Sequence, residues 1–364
     1  MEFPFSMVIV RRVKPLPYWI TPILALIVGL LISIIILYGM SGGQTTPYDV
    51  LASISYGFVN IGLLAKTFSL LTIVGIGLLV SFKGAIWNIG GEGQFYMGVL
   101  VATWIALFSG LAMVGLAAKT AMIILGLLAG AFWALIAALP RAYLGVDEVP
   151  ITLMMNYIAY YIVDYLSSGA WKERHYGYYR TVTIPQTTWF NPIKIGNIPV
   201  TISYELLTIL VIVFVGVWLL FKYTSLGLRI KILSSNPDLL RSSGISVPIT
   251  ILLALTISGL IIGIAGASYL AQVSHNISYP VEEKTPVYGY TGILVAWLSM
   301  LELFAVPIAA YIMSALYNAG IQMQVIGAGG AAVVNVFIGS ILLTYAVLVT
   351  TSEYQIRIIR KKKR

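Results

Sequence analysis

The stretch richest in chemistry is Trp87-Asn88-Ile89-Gly90-Gly91-Glu92-Gly93-Gln94, which sets one carboxylate and two amides inside an apolar run from about Thr67 to Phe108. With Lys83 at a membrane interface, Glu92 follows nine residues later. At about 1.5 Å per residue this is roughly 13 Å inward, near the middle of an about 30 Å hydrocarbon core. A charge at that depth costs several kcal/mol unless it is hydrated, paired or protonated, so it marks a functional site. Gly90, Gly91 and Gly93 argue against a continuous helix, and irregular backbone at such depth survives only inside protein or along a cavity. Two half-helices meeting at a polar cavity are expected.

The elements that must hold this stretch are membrane helices. The chain has 364 residues, 59% hydrophobic and 10% charged, whereas a soluble globule is about one quarter charged. Its apolar segments approach the roughly 20 residues a span requires and lack the alternation of a barrel. The expected fold is therefore an all-α polytopic membrane protein. Spans are placed at about Trp19–Leu37, Thr67–Phe82, Gly84–Phe108, Ala112–Leu139, Ile151–Ser167, Tyr204–Phe221, Ile249–Gln272, Tyr288–Met300, Leu303–Ala319 and Ala331–Thr350. This gives about ten transmembrane helices within a membrane core of residues 19–350, a cytoplasmic segment 1–18 and a basic cytoplasmic tail 351–364. The loop from Pro47 to Asn60 is read as external. Arg11-Arg12 suggests a secretion signal, but the apolar run after it is too long and no cleavage site follows, so it is read as a retained first span.

On this topology 15 of the 22 Lys and Arg fall on one side, which places both termini in the cytoplasm; the membrane itself is expected to be the plasma membrane. The net charge of +9 is thus accounted for by membrane orientation rather than by nucleic acid. The external segment 168–201 mixes Trp171, Lys172, Arg174, Tyr179 and Trp189, a composition that suits either an interfacial aromatic belt or a docking surface. Arg141, Asp147 and Glu148 read as a short solvated cytoplasmic turn.

Internal repetition supports the count. Gly98-Val-Leu-Val-Ala102 recurs as Gly292-Ile-Leu-Val-Ala296, and Asn156 is matched by Asn335. A displacement of five spans reverses orientation, so the expectation is an inverted five-helix repeat, the arrangement that places a site at the midplane between halves.

The cytoplasmic loop 222–248 carries a second informative stretch, Asn236-Pro237-Asp238-Leu239-Leu240-Arg241-Ser242-Ser243-Gly244. Asn suits an N-cap, Pro the first helical position, Asp the positive helix end and Gly the C-terminal stop. A two-turn helix outside the membrane follows, with Leu239 and Leu240 exposed for a partner protein or for the bilayer surface. Enzymatic patterns are missing. His175 and His275 have no ligand-type partner at helical spacing, Gly327-Ala-Gly-Gly330 does not lie between a strand and a helix, and no Walker-type sequence occurs. Cysteine is absent, so no disulfide or thiol chemistry arises. Gly259, Gly263 and Gly266, and Gly126 and Gly130, fit close helix packing. Asn276-Ile277-Ser278 is a formal glycosylation sequon on the external side.

Taken together these residues resemble a known family, the membrane permeases of ATP-binding-cassette importers for simple sugars and nucleosides, near the branched-chain amino acid permeases. The nucleoside branch carries F-N-I-G-A-E-G-Q, and Trp87 to Gln94 here reads W-N-I-G-G-E-G-Q, departing at Trp87 and Gly91. Glu148-Val149 followed by Thr152-Leu-Met-Met-Asn156-Tyr-Ile resembles E-V-x-x-T-I-M-L-N-Y-I. Thr224 to Gly227 with Asn236 to Ile245 is similar to the family's cytoplasmic coupling segment, although Leu239 and Leu240 replace an alanine pair. The similarity runs from about Thr67 to Thr350.

The resemblance implies a subunit that is not itself an enzyme and binds no cofactor. It would pair with a second permease subunit, identical or different, and be driven by two cytoplasmic ATPase subunits that bind the ATP. An external substrate-binding protein would feed it. Asn88, Glu92, Gln94 and Asn156 would then line or brace the solute pathway. Asn236, Pro237, Leu239, Leu240, Arg241 and Gly244 would form the coupling helix. The alternative is an ion-coupled secondary transporter of a small polar solute, which also uses inverted repeats and midplane breaks.

Overall fold

The computed structural model describes residues 5–11, 20–174, 177, 179–195, 198–284, 287–327 and 332–360. In chain order the helices are α1 (Ile20–Met40), α2 (Pro47–Val59), α3 (Ile61–Phe82), α4 (Gly91–Phe108), α5 (Gly115–Leu139), α6 (Glu148–Ser168) and α7 (Tyr204–Tyr223). They continue as α8 (Ser225–Ser235), α9 (Pro237–Ser242), α10 (Val247–Tyr269), α11 (Val281–Lys284), α12 (Tyr288–Leu298), α13 (Val306–Val325) and α14 (Ala332–Glu353). Strands are few: β1 (Phe5–Arg11) pairs antiparallel with β4 (Tyr354–Arg360), and β2 (Pro192–Ile195) with β3 (Ile198–Ser203). His175, Tyr176, Tyr178, Gly330, residues 328–329, most of the segment 1–18 and the last four basic residues lie outside the described residues.

The protein is thus a helical membrane protein, the class in which lipid forces each span to satisfy its own backbone. Among the described residues seven helical stretches are long and apolar enough to cross a bilayer: Ile20–Met40, Leu64–Phe82, Gly115–Leu144, Tyr204–Tyr223, Val247–Ser274, Leu303–Val325 and Val333–Ser352. The other three predicted spans are helices that fall short of this measure. α12 has only 11 residues, α4 opens on Glu92 and Gln94, and α6 carries Asn156 and Asp164.

The predicted external loop from Pro47 is instead the helix α2. Its start is fixed by a reciprocal cap that the sequence reading passed over. The Thr46 N–H and hydroxyl both donate to Asp49 Oδ2 at 2.8 Å, and the Asp49 N–H donates to Thr46 Oγ1 at 3.2 Å.

Two compact units divide the chain. The smaller combines Met1–Gly57 with Leu316–Arg364. In it α1 runs against α14, with Gly29 lying directly on the backbone of Ile341, and Leu37, Val50, Ala319, Met323, Val333 and Phe337 form the core. The larger unit, Phe58–Ala315, holds α3 to α12. Its centre is α3, in which every residue from Ser69 to Phe82 is buried.

The seams of the larger unit are made of glycine. A Cβ on Gly98 of α4 or on Gly126 or Gly130 of α5 would meet α10 at Gly259, Gly263 or Ala267, and one on Gly266 would meet the Phe95 carbonyl. Backbones that approach this closely gain dispersion and carbonyl contacts that a side chain would abolish. Gly263→Val should therefore lower the thermal stability of the purified protein by about 1–3 kcal/mol or more. Gly216→Ala on α7, where the added methyl meets nothing within 4 Å, should be neutral or slightly stabilising. Equal melting of the two variants would rule out a packing role for the seam.

Candidate functional site

The helix does break at the glycine-rich stretch, and more completely than two half-helices would. α3 ends at Phe82, residues 83–90 are non-helical, and α4 begins at Gly91. Short local bonds hold the turn, such as Asn88 N–H to the Ile86 carbonyl at 3.1 Å, and Ala85 adopts φ +54°. A segment of this kind leaves many backbone groups without helical partners, so side chains must take them up.

Two side chains do so, and two more pin the turn through their amides. The Trp87 N–H donates to Glu148 Oε1 at 2.8 Å, and Arg141 Nε lies 3.0 Å from Glu148 Oε2. Asn156 is used at both ends of its amide. Its Oδ1 accepts the Gly93 N–H at 2.7 Å, while its Nδ2 donates to the Ile89 carbonyl at 2.9 Å and to the Tyr290 hydroxyl at 3.0 Å. Asn88 and Gln94 form a reciprocal amide pair at 3.0 and 2.9 Å, and Asn88 Nδ2 also donates to Ser258 Oγ at 2.9 Å.

Glu92 reaches further along the chain. Its Oε2 accepts the N–H groups of Gly289 at 2.6 Å and Tyr290 at 3.3 Å, which belong to the first turn of α12. These are two of the four donors that a helix start leaves unpaired. Glu92 also stands in the first turn of α4, so one carboxylate sits between the positive ends of two helices. Gly289 is required there, because a Cβ at that position would strike the Glu92 backbone.

The rise along α6 gives a second spacing for the same level. Glu148 starts α6 and Asn156, bonded to Gly93, lies eight residues along it, about 12 Å. From this level α4 and α12 run in opposite directions. α4 ends at Phe108, whose ring meets Trp171 beyond the end of α6. α12 runs toward Phe82 and Trp87, which its Trp297 ring meets at 6.3 and 5.7 Å, and Lys83 then pairs with Glu302 at 3.5 Å.

Asn88, Glu92 and Asn156 are 0% exposed and Gln94 1%, so the four residues read as lining or bracing the pathway form one buried knot, in which Asn88 and Gln94 bond each other while Asn156 and Glu92 bond the backbone of this stretch and of α12. Glu148 belongs to it too. Predicted as part of a solvated turn, it is buried and ion-paired, with Asp147 as the cap that starts α6. The signal for it was present in the Glu148-Val149 motif. Ser258, Gly289 and Tyr290 gave no such signal.

The second site is α9. Asn236 Oδ1 accepts the Leu239 N–H at 3.1 Å, Pro237 opens the helix, Asp238 pairs with Arg241 at 2.8 Å and Gly244 turns the chain at φ +73°. The helix is shorter than expected, six residues from Pro237 to Ser242. The two leucines also part company. Leu239 is 49% exposed as predicted, but Leu240 is buried, on the side where α9 lies against α8 and α10.

The segment after α6 packs on the stretch that follows α10. The Thr181 N–H donates to the Ile277 carbonyl, the Ile184 N–H to the His275 carbonyl, and the Trp189 ring stacks on His275 at 3.8 Å. Burial first, and then the Lys66 charge, hold His275 below the usual imidazole range, so it is neutral at pH 7.

Residues 60–348 match the family of branched-chain amino acid transport system permease components. The chain belongs to this family. Three similar proteins carry names within the same class of transporter. One is a glucose ABC transporter permease of Haloferax volcanii, 25% identical over 94% of this chain and 90% of its own length. Another is a guanosine ABC transporter permease of Bacillus subtilis, 25% identical over 96% and 98%. A nucleoside ABC transporter permease of Lactococcus lactis is 26% identical over 92% and 95%. No solved structure gives a significant match. In this permease the matched stretch holds both the buried knot and α9, whereas α1, β1 and β4 lie outside it.

Proposed function

We propose that this permease forms, with a second permease subunit of the same or a different kind, the membrane pathway of an ATP-binding-cassette importer for a nucleoside or, second, a simple sugar. The observation that carries this reading is the match over nearly the full length to permeases named for guanosine, nucleosides and glucose. Separate cytoplasmic ATPase subunits bind and hydrolyse the ATP and grip α9, and an external binding protein delivers the solute. Asn88, Glu92, Gln94 and Asn156 serve as braces that fix the broken backbone beside the pathway.

The same reading includes an inverted repeat of five helices. α4 and α12 leave Glu92 in opposite directions, and their matched glycines make exchanged contacts. Gly98 of α4 lies on Gly263 of α10, and Gly292 of α12 lies on Val74 of α3. Helices two and seven of the ten-span scheme thus trade places, as a two-fold axis in the membrane plane requires. Segments 1–18 and 351–364 belong on the cytoplasmic side of the plasma membrane, in line with the bias of basic residues.

The test is solute uptake into proteoliposomes holding the permease with its ATPase and binding-protein partners. Uptake should require internal ATP on the ATPase side and persist with a protonophore present. Uptake that a protonophore abolishes without ATP dependence would instead make this an ion-coupled carrier.

A further inference from the structure

The buried knot offers no exposed polar atom to a solute; its one oxygen without a hydrogen-bond partner among the described residues, Glu92 Oε1, is buried as well. What faces outward from it is aromatic. Tyr290 and Trp297 are seven residues apart on α12 and so share one face, with both rings partly exposed. Trp87, 41% exposed, meets Trp297 edge-on at 5.7 Å, and Tyr157 of α6, 44% exposed, adjoins Asn156, whose amide bonds the Tyr290 hydroxyl at 3.0 Å. The four rings make a strip about 10 Å long, from the level of Glu92 toward Lys83.

Lipid is a poor neighbour for this strip. Tyr157 lies one residue beyond Asn156 on α6, at the depth of the knot, and its hydroxyl has no hydrogen bond among the described residues. The Tyr290 hydroxyl accepts from Asn156, which leaves its own proton free to donate. Tyrosines in membrane proteins favour the interfaces, where the hydroxyl stays wet, and a polar group left unpaired in hydrocarbon is costly. Hydroxyls held at mid-depth by a rigid support point to an occupant that brings hydrogen-bond partners with it. The rings ask for a flat or ring-shaped surface to cover them, since stacking tolerates any base or sugar face.

We infer that Trp87, Tyr157, Tyr290 and Trp297 form the solute-contact surface of the pathway, stacking on the ring of a neutral nucleoside or sugar while the two tyrosine hydroxyls bond its polar edge. This rests on the permease reading proposed above. The knot behind the strip holds it still, so that selectivity resides in exposed rings rather than in the buried polar residues of the motif.

The chain contains no cysteine, so Tyr157→Cys, Trp87→Cys and, as a control on the exposed face of α7, Ile212→Cys each report a single position. All three sites are exposed, which leaves the packed core intact. In the assembled transporter a water-soluble maleimide should label positions 87 and 157 but not 212. A saturating solute from a panel of guanosine, adenosine, uridine, ribose and glucose should slow that labelling at least five-fold. Tyr290→Phe should raise the KM for the same solute about ten-fold with little change in maximal rate.

Labelling at 87 and 157 that solute does not alter, or that fails altogether while uptake continues, overturns the strip and leaves the permease reading standing. A Tyr157→Cys variant that loses subunit assembly with its KM unchanged assigns the face to a protein interface and also overturns it. Wild-type transporter that takes up none of the panel with ATP overturns the parent reading and the strip with it.

Discussion

Glu92→Ala will cost this permease its fold before it costs it transport. The substitution removes the acceptor of the Gly289 and Tyr290 N–H groups, both in the buried first turn of α12. A buried donor left unpaired costs about 1–3 kcal/mol, and the void left by the carboxylate adds to this. A loss of about 2–5 kcal/mol is expected, seen as a lower melting temperature in detergent and a smaller yield of monodisperse protein. Uptake by what remains should fall to background. Glu92→Gln keeps an oxygen for Gly289 and should melt between the two. If Glu92→Ala melts like wild type, the brace is not what holds α4 to α12. If it also transports like wild type, Glu92 has no part in the mechanism.

Leu239→Asp will detach the ATPase subunits while leaving the permease folded. Leu239 is half exposed on a capped helix outside the membrane, and a carboxylate placed there opposes burial in a partner's groove. Co-purification of the ATPase should fall at least ten-fold and ATP-driven uptake with it, at unchanged melting temperature. Leu240→Asp separates folding from coupling. Its side chain is 1% exposed inside the permease, so this variant should lose several kcal/mol of stability whether or not a partner is present. Full retention of the ATPase by Leu239→Asp would remove α9 from the interface.

Much of this was legible from residue types alone. Apolar length located the helices, because lipid leaves the backbone no other solution, and the glycines flanking Glu92 located the break. The α9 cap was readable residue by residue, since Asn236, Pro237 and Gly244 each suit only one position in a short helix. Two leucines in sequence should not have been expected to share a face. Neighbours on a helix point about 100° apart, so one of Leu239 and Leu240 had to turn inward.

What stayed hidden depends on contacts distant in sequence. Nothing in Tyr290 or Ser258 announces that each closes a hydrogen bond with an amide more than a hundred residues away. Glu148 read as a surface charge because its partners, Arg141 and the Trp87 N–H, converge on it only after folding. The depth expected for Glu92 rested on an incomplete reason. The rise per residue assumed helix from Lys83 onward, whereas residues 83–90 are irregular and the helical spacing to this level runs along α6.

The pairing of β1 with β4 bears on a question of parity. Phe5 faces Arg360 and Arg11 faces Tyr354 in one antiparallel ladder, so the two ends of the described chain share one side of the bilayer. A chain that leaves and returns to the same side crosses an even number of times. Seven helices meet the apolar measure, and an odd number cannot close that circuit. Either one of the seven stops short of a full crossing, or an odd number of the polar-faced helices α4, α6 and α12 completes one; the ten spans expected from the sequence need all three.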